Sequence, residues 1–313
     1  MPSLSLSRSL SRSLSPTAQG ILTMLLGLVF YTLMDAMAKH LGERYASLQV
    51  VWARYAVQTA LLMVLFAPRL GQVLRTRAPG LQAARSVFQF GATALFFGAL
   101  PFVGLAEATA IMDVNPVLIT LGAALVLGER LGPRRIVGIA LALTGALIVI
   151  RPGSGVFTPA ALMPLAAAVC YASFAVLTRR LGSRDPVPTS LIYAGLFGTL
   201  ASTALLPAVW QPVAAADLPG FVIVGLLGAA GQLCLIRAFT MAEAGALAPF
   251  GYTGLILAAV WSWLFWDRLP DVQTFVGMVV IAGAGLYVWH RETRADRRAG
   301  MTGAKAPPPR PDP

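Results

Sequence analysis

Charge is scarce in this sequence, at 12% of 313 residues against about 25% in an ordinary soluble domain. Hydrophobic residues make up 57% and mean hydropathy is +0.72, more apolar surface than a soluble fold can bury. Histidine occurs only at His40 and His290, and cysteine only at Cys170 and Cys234, with no Cys-x-x-Cys, HExxH or GxSxG pattern. These gaps argue against metal sites and the common hydrolase chemistries. The two cysteines read as small side chains inside apolar runs. No GxxxxGK[ST] loop is present, which argues against direct ATP coupling within the chain. Alternating strand patterning of the outer-membrane barrel kind is missing too, and a backbone in lipid must satisfy itself, so helices remain. Acids are fewer than bases, 13 against 24, for a net charge of +11. The bases sit in short clusters between apolar runs, not on one polar face with interleaved aromatics, so nucleic acid is not an expected partner.

What is present is a series of long runs free of charge: 86–106, 152–178, 186–216, 218–236 and 244–266. Each is long enough to cross about 30 Å of hydrocarbon as a helix. The fold class is therefore an all-α integral membrane protein. Spans are expected near 20–39, 48–67, 86–105, 108–127, 135–150, 159–178, 189–209, 218–239, 245–265 and 272–289. With a cytoplasmic N-terminus, the inside segments hold Arg8, Arg12, Arg69, Arg75, Arg77, Arg85, Arg130, Arg134, Arg135, Arg179, Arg180, Arg184, Arg237 and all six bases after Trp289. The outside holds Lys39, Arg44, Arg151 and Arg268. That asymmetry is the positive-inside rule with both termini cytoplasmic. Residues 1–19, a Ser/Leu/Arg tail of a composition also found in transit peptides, and the Pro-rich end of 292–313 are expected to be disordered.

The sequence repeats itself. Residues 31–42, YTLMDAMAKHLG, align with 171–182, YASFAVLTRRLG; Gly128-Glu129-Arg130-Leu131 with Val137-Gly138 align with Trp266-Asp267-Arg268-Leu269 with Val276-Gly277. The offset stays near 140 residues, which sets repeats at 20–151 and 152–291. Five spans per half is an odd number, so the second copy enters the membrane from the opposite side. Inverted five-helix repeats characterise secondary transporters, with solute held at the midplane between the halves.

Ionisable residues inside spans cost a few kcal/mol each on the lenient scale, so they are functional candidates. Asp35 lies about one turn inside Lys39, while Arg54 and Asp113 lie roughly 9 Å inside their span ends. Their common depth suggests convergence in the outer half of a cavity, where an arginine flanked by carboxylates grips a zwitterion or holds a carboxylate for proton coupling. The alternative is that Asp35 pairs with Lys39 four residues on, and that Arg54 is an anchor locked to a carboxylate. Asn115 and Pro116 follow Asp113; a proline frees backbone groups that lipid cannot satisfy. Pro249 interrupts the ninth span as Pro116 interrupts the fourth, the helix breaks expected at a central site. Tyr252, Gln89 and Gln232 are further polar candidates for its wall, with packing or interhelical hydrogen bonds as the competing roles. Arg237 and Glu243 flank a turn where they form either a salt-bridged gate or an interfacial anchor. Trp261, Trp263, Trp266 and Trp289 fit an aromatic belt, and the span glycines fit close helix packing.

Arg54-Tyr55, Ala99-Leu100-Pro101, Pro116, Gly128-Glu129-Arg130-Leu131 and the stretch 138–149 resemble the repeat signature of EamA-type proteins of the drug/metabolite transporter superfamily. Ala248-Pro249-Phe250-Gly251-Tyr252-Thr253, the stretch 267–271 and Gly285-Leu286-Tyr287 are similar to a bacterial subgroup that includes carriers for S-adenosylmethionine and riboflavin. The second half departs from the signature, with Ala194 where Arg54 would recur and Asp267 for glutamate. The resemblance implies a secondary carrier of small organic metabolites in the inner membrane, working by alternating access. Its partners would be the bilayer, a small-molecule substrate and a coupling proton or counter-solute, with no cofactor or metal, in a monomer or homodimer. A membrane-embedded enzyme acting on lipid or peptide, and a channel or sensor, are the competing classes. Neither has a motif in this sequence to support it.

Overall fold

The computed structural model describes residues 15–127, 133–152, 158–181, 184–242, 247 and 250–303. No strand occurs among them. The principal helices are α1 (Pro16–Gly42), α2 (Ser47–Leu65), α3 (Pro79–Ala99), α4 (Leu105–Met112), α5 (Asn115–Leu127), α6 (Pro133–Ile150), α7 (Leu162–Leu181), α8 (Val187–Leu205), α9 (Leu218–Met241), α10 (Thr253–Trp266) and α11 (Val272–Gly303). Prolines open the first turns of α1, α3, α8 and α9, where no amide hydrogen is needed. Ser15 caps α1 by accepting from the Ala18 N–H at 3.2 Å.

Six stretches are long and apolar enough to cross a bilayer: Pro16–Gly42, Ser47–Leu65, Leu105–Val126, Pro159–Thr178, Val187–Ala208 and Leu218–Ala238. Outward faces stay apolar, with Val64 and Leu125 of these stretches and Val272 of α11 three-quarters or more exposed. Such surfaces suit lipid and not water. The chain is a multi-pass membrane protein.

The third helix differs from its expected span. It occupies Pro79–Ala99 instead of 86–105, which places Gln82 and Arg85 inside the bundle. Arg85 is 4% exposed. Its Nε donates to Thr178 Oγ1 at 2.7 Å and its Nη1 to Ser190 O at 2.9 Å, and the guanidinium lies 4.6 Å from the Phe174 ring. A buried arginine with this many partners need not reach the interface. Counting charges had put it there.

Helix pairs close the bundle. α1 lies along α9 and α3 along α7; α2 packs on α8 and α9, and α8 on α3; α6 lies along α11, while α10 meets α1 and α4. Polar clamps tie both ends. At one end the Tyr45 hydroxyl donates to Asp217 at 2.7 Å, Arg44 pairs with Asp217 at 3.1 Å, and Gln49 exchanges hydrogen bonds with the Gln211 backbone at 2.9 and 3.1 Å. Lys39 sits at this end, its Nζ donating to Leu100 O at 2.6 Å and Val103 O at 3.0 Å. At the opposite end Asp185 accepts from the Arg77 N–H at 2.9 Å, from Thr76 at 2.5 Å and from Gln82 at 2.9 Å.

Burial alone would raise the Asp185 carboxyl, but the bonds from Arg77, Thr76 and Gln82 and the Arg77 charge outweigh it and hold it below its ordinary value. A depressed carboxyl contributes stability above its unfolded value, near pH 4, and loses it as pH falls through the folded one. We therefore expect Asp185→Asn to cost about 1.5–3 kcal/mol at neutral pH, since its amide would face donors. Melting curves in detergent check this: the gap between wild type and variant should shrink from pH 6 to pH 3, and a constant gap would contradict the assignment.

Candidate functional site

The break between α4 and α5 falls at Asp113 and Val114. The Asp113 N–H still bonds Thr109 O at 2.9 Å, Val114 closes a tighter turn on Ile111 O at 3.4 Å, and Asn115 restarts the helix with Pro116 in its first turn. The break expected from the proline is there. Asp113 Oδ2, Asn115 Oδ1 and Thr109 Oγ1 are buried beside it without a hydrogen-bond partner. Buried polar atoms are ordinarily satisfied, so a cluster of orphans points to a space that something else fills.

Arg54, on α2, is 6% exposed. Its Nη1 donates to Thr93 Oγ1 at 2.6 Å, its guanidinium lies 4.9 Å from the Tyr55 ring and 5.9 Å from that of Phe97, and its Nε has no partner. Among the described residues no carboxylate lies within ion-pair distance of it, so it is not locked to any of them. Asp35, on α1, is half-buried and makes no hydrogen bond or ion pair with a described residue. Its expected partner Lys39 is engaged with the Leu100 and Val103 carbonyls and lies 5.6 Å from the Trp266 ring. The pairing of Asp35 with Lys39 is therefore corrected: helix spacing brings them near, but the buried carbonyls of Leu100 and Val103, just past the end of α3, take the ammonium. Asp35 stands on α1, which touches both α2, the helix of Arg54, and α4, at whose end Asp113 lies.

The remaining candidates divide. Gln89 is 9% exposed with Oε1 unpartnered, whereas Gln232 Oε1 accepts from Gln58 Nε2 at 2.9 Å, an interhelical bond. Tyr252 is half-buried just before α10, in the field of Asp113, and its hydroxyl occupies the space that a side chain at Gly285 would take. Arg237 is exposed near the end of α9; Glu243 and Pro249 lie outside the described residues, as do Gly128, Glu129, Arg130 and Leu131. Two tryptophans of the expected belt turn inward, Trp261 donating to Thr32 Oγ1 at 3.0 Å and Trp266 to Glu43 Oε1 at 2.7 Å. Cys170 and Cys234 are free and half-buried.

A separate cavity of about 340 Å³ is lined by Gln49, Trp52, Trp210, Val213, Leu218 and Phe221. It carries no ionisable group and lies at the clamped end near Tyr45, apart from the carboxylates. The polar residues that sequence reasoning missed are Gln82, Arg85, Gln58 and Thr93. A stripe at helical spacing, Gln82, Arg85, Ser86 and Gln89, all buried, was the available signal.

The model of the EamA-like transporter family matches residues 18–151 and again 158–289. The riboflavin transporter of Rhizobium johnstonii is 29% identical over 293 residues, 93% of this chain and 97% of the relative. The pseudopaline exporter CntI of Pseudomonas aeruginosa is 28% identical over 271 residues, 85% and 94% of the two chains. The S-adenosylmethionine uptake transporter of Rickettsia prowazekii is 24% identical over 277 residues, 88% and 94%. One crystal structure shares the fold with a TM-score of 0.58 at 20% identity, covering 90% of this chain and 98% of that one.

Proposed function

This chain belongs to the EamA-like transporter family, and from that premise we propose that it carries a small organic metabolite, an amino acid or related metabolite or cofactor, across the cytoplasmic membrane by alternating access. The observation that carries this is the set of unpartnered polar atoms, Asp113 Oδ2 and Asn115 Oδ1 at the helix break and Arg54 Nε on α2, together with the Asp35 carboxylate on α1, which bonds no described residue. Such a group is stable only if solvated or occupied. An arginine between two carboxylates suits a solute with both acidic and basic groups, and either carboxylate can carry a coupling proton when no counter-solute is exchanged. Tyr252 and Gln89, whose amide oxygen has no partner, extend the wall, and Pro116 marks the break between α4 and α5.

Two inverted repeats, 20–151 and 152–291, make the ten spans; the six long apolar helices, the shorter apolar Ile136–Ile150, Thr253–Trp266 and Val272–Tyr287, and α3 support that number. Thr59 and Thr199 share a hydrogen bond at 3.1 Å and stand 140 residues apart, the repeat offset, as expected where a two-fold axis passes between α2 and α8. The pairing of α1 with α9 has its counterpart in α3 with α7. The clamps match as well: Tyr45 and Asp217 at one end stand at the same offset from Asp185 and Arg77 at the other. The bias of basic residues puts the Asp185 end and both termini in the cytoplasm.

Purified protein melted against a panel of amino acids, nucleoside conjugates and flavins tests the binding step. A solute held at about a hundred times its dissociation constant adds about 2.7 kcal/mol to folded-state stability. The expected result is stabilisation by a member of the panel that is lost in Asp113→Asn; equal stabilisation of the variant would remove Asp113 from the site.

A further inference from the structure

We infer that Tyr31 and Tyr171, equivalent residues in the two halves, line the central site and turn one hydroxyl each toward its contents. This rests on the central-site reading above and adds the surface by which each half meets the solute. The two tyrosines open the aligned stretches 31–42 and 171–182, which served above only as repeat landmarks. Tyr31 lies one helical turn before Asp35 on α1, on the same face. Tyr171 lies on α7, its ring 5.5 Å from that of Phe174.

Three observations converge. First, neither hydroxyl has a hydrogen-bond partner among the described residues. Other tyrosines of the chain do: Tyr45 bonds Asp217, Tyr55 bonds Gln89 O and Thr93, and Tyr193 bonds Leu74 O. A phenol buried for packing alone ordinarily finds a partner. Second, the two hydroxyls are not sealed. Asp113 Oδ2 and Arg54 Nε are fully enclosed orphans, whereas the tyrosine hydroxyls retain accessible surface although both residues are half-buried. Unpartnered and not sealed, they are free to meet the contents of the central site proposed above. Third, their surroundings belong to the site: Tyr31 stands one turn from Asp35, α7 packs against α4, at whose end Asp113 lies, and the Tyr171 ring meets Phe174, whose ring is in turn covered by the Arg85 guanidinium.

The pair therefore links the two carboxylates through one shared space, with one phenol on a helix of each half. The ring of Tyr31 rests against Gly231 of α9, 3.1 Å from where a side chain there would begin, so it has little room to turn away. A phenol both donates and accepts. Together with Arg54 and the carboxylates, the two hydroxyls suit a polar zwitterion with hydrogen-bonding groups at both ends. A solute bonded to both also ties α1 to α7, joining the halves while it is held.

The test uses the full chain in proteoliposomes, with Cys170 and Cys234 replaced by serine. Single cysteines are placed at Tyr31, Tyr171, Asp35 and, as a packed control, Ala167, which is 0% exposed. Each is treated with 2-aminoethyl methanethiosulfonate, whose sulfenyl sulfur is attacked by a hydrated thiolate to give a mixed disulfide and release methanesulfinate. We expect Tyr31→Cys and Tyr171→Cys to react within about tenfold of Asp35→Cys, and Ala167→Cys to be inert. Reaction at Asp35→Cys with either tyrosine position as inert as Ala167→Cys overturns the inference and leaves the central site standing. Inertness at all of them overturns both. Should a cysteine variant fail to fold, hydroxyl-radical footprinting of the wild type replaces it. Oxidation of Tyr31 and Tyr171 with Tyr55 silent supports the assignment, and equal oxidation or silence at all three contradicts it.

Discussion

Asp113→Asn should abolish transport, by about a hundredfold or more in initial rate, while membrane insertion and melting temperature stay close to wild type. The two expectations have one origin. Asp113 Oδ2 has no hydrogen-bond partner, so replacing it with an amide forfeits no side-chain bond of the fold. A buried amide also costs less to desolvate than a buried carboxylate, so the substitution does not strain the bundle. Function has the opposite sensitivity. A buried carboxylate that binds an ammonium or a proton contributes through its charge, and charged hydrogen bonds are worth about 1.5–3 kcal/mol each, or about ten- to a hundredfold in affinity. Losing proton coupling as well stops the cycle. Uptake at wild-type rate by a correctly inserted variant would show that Asp113 is only a helix-break residue.

Gly198→Leu should leave no folded protein to assay. A Cβ at this position would lie 2.5 Å from two atoms of the Tyr55 ring. Tyr55 cannot retreat: it is 1% exposed and its hydroxyl is held by Gln89 O and Thr93. Helices α2 and α8 would have to separate along the contact that includes the Thr59–Thr199 bond. Overpacking costs about 1–3 kcal/mol for small additions, so Gly198→Ala should lower the melting temperature measurably and leucine should abolish the monodisperse peak in size exclusion. Pairing Gly198→Leu with Tyr55→Ala, which vacates the space, should restore part of the yield. A single Gly198→Leu variant that melts with the wild type would contradict this packing.

These two positions also mark what sequence reasoning can reach. The break at Asp113 was legible because proline has a local, context-free effect on a helix, and the spans were legible because lipid demands unbroken apolar length. Arg85 was not. The rule that places charge at span ends ignores partners on other helices, and Thr178 and Ser190 are remote in sequence. The stripe of Gln82, Arg85, Ser86 and Gln89 carried the right information, but only to an eye that weighed polar periodicity above charge. Asp35 failed in the opposite way. Its spacing to Lys39 predicted a local pair, while the carbonyls of Leu100 and Val103, invisible in a pattern, took the lysine. Local propensity survives folding in this chain, and side-chain partnership is decided by tertiary packing.

Counterflow in proteoliposomes tests the central claim most directly. Vesicles containing the protein are loaded with the solute that stabilises it, diluted into trace labelled solute, and followed over time. A carrier with one central site predicts saturable uptake with a transient accumulation of label above its equilibrium level, absent in Asp113→Asn vesicles. Linear, unsaturable entry without that overshoot, or turnover of added lipid or peptide with no accumulation, would contradict it.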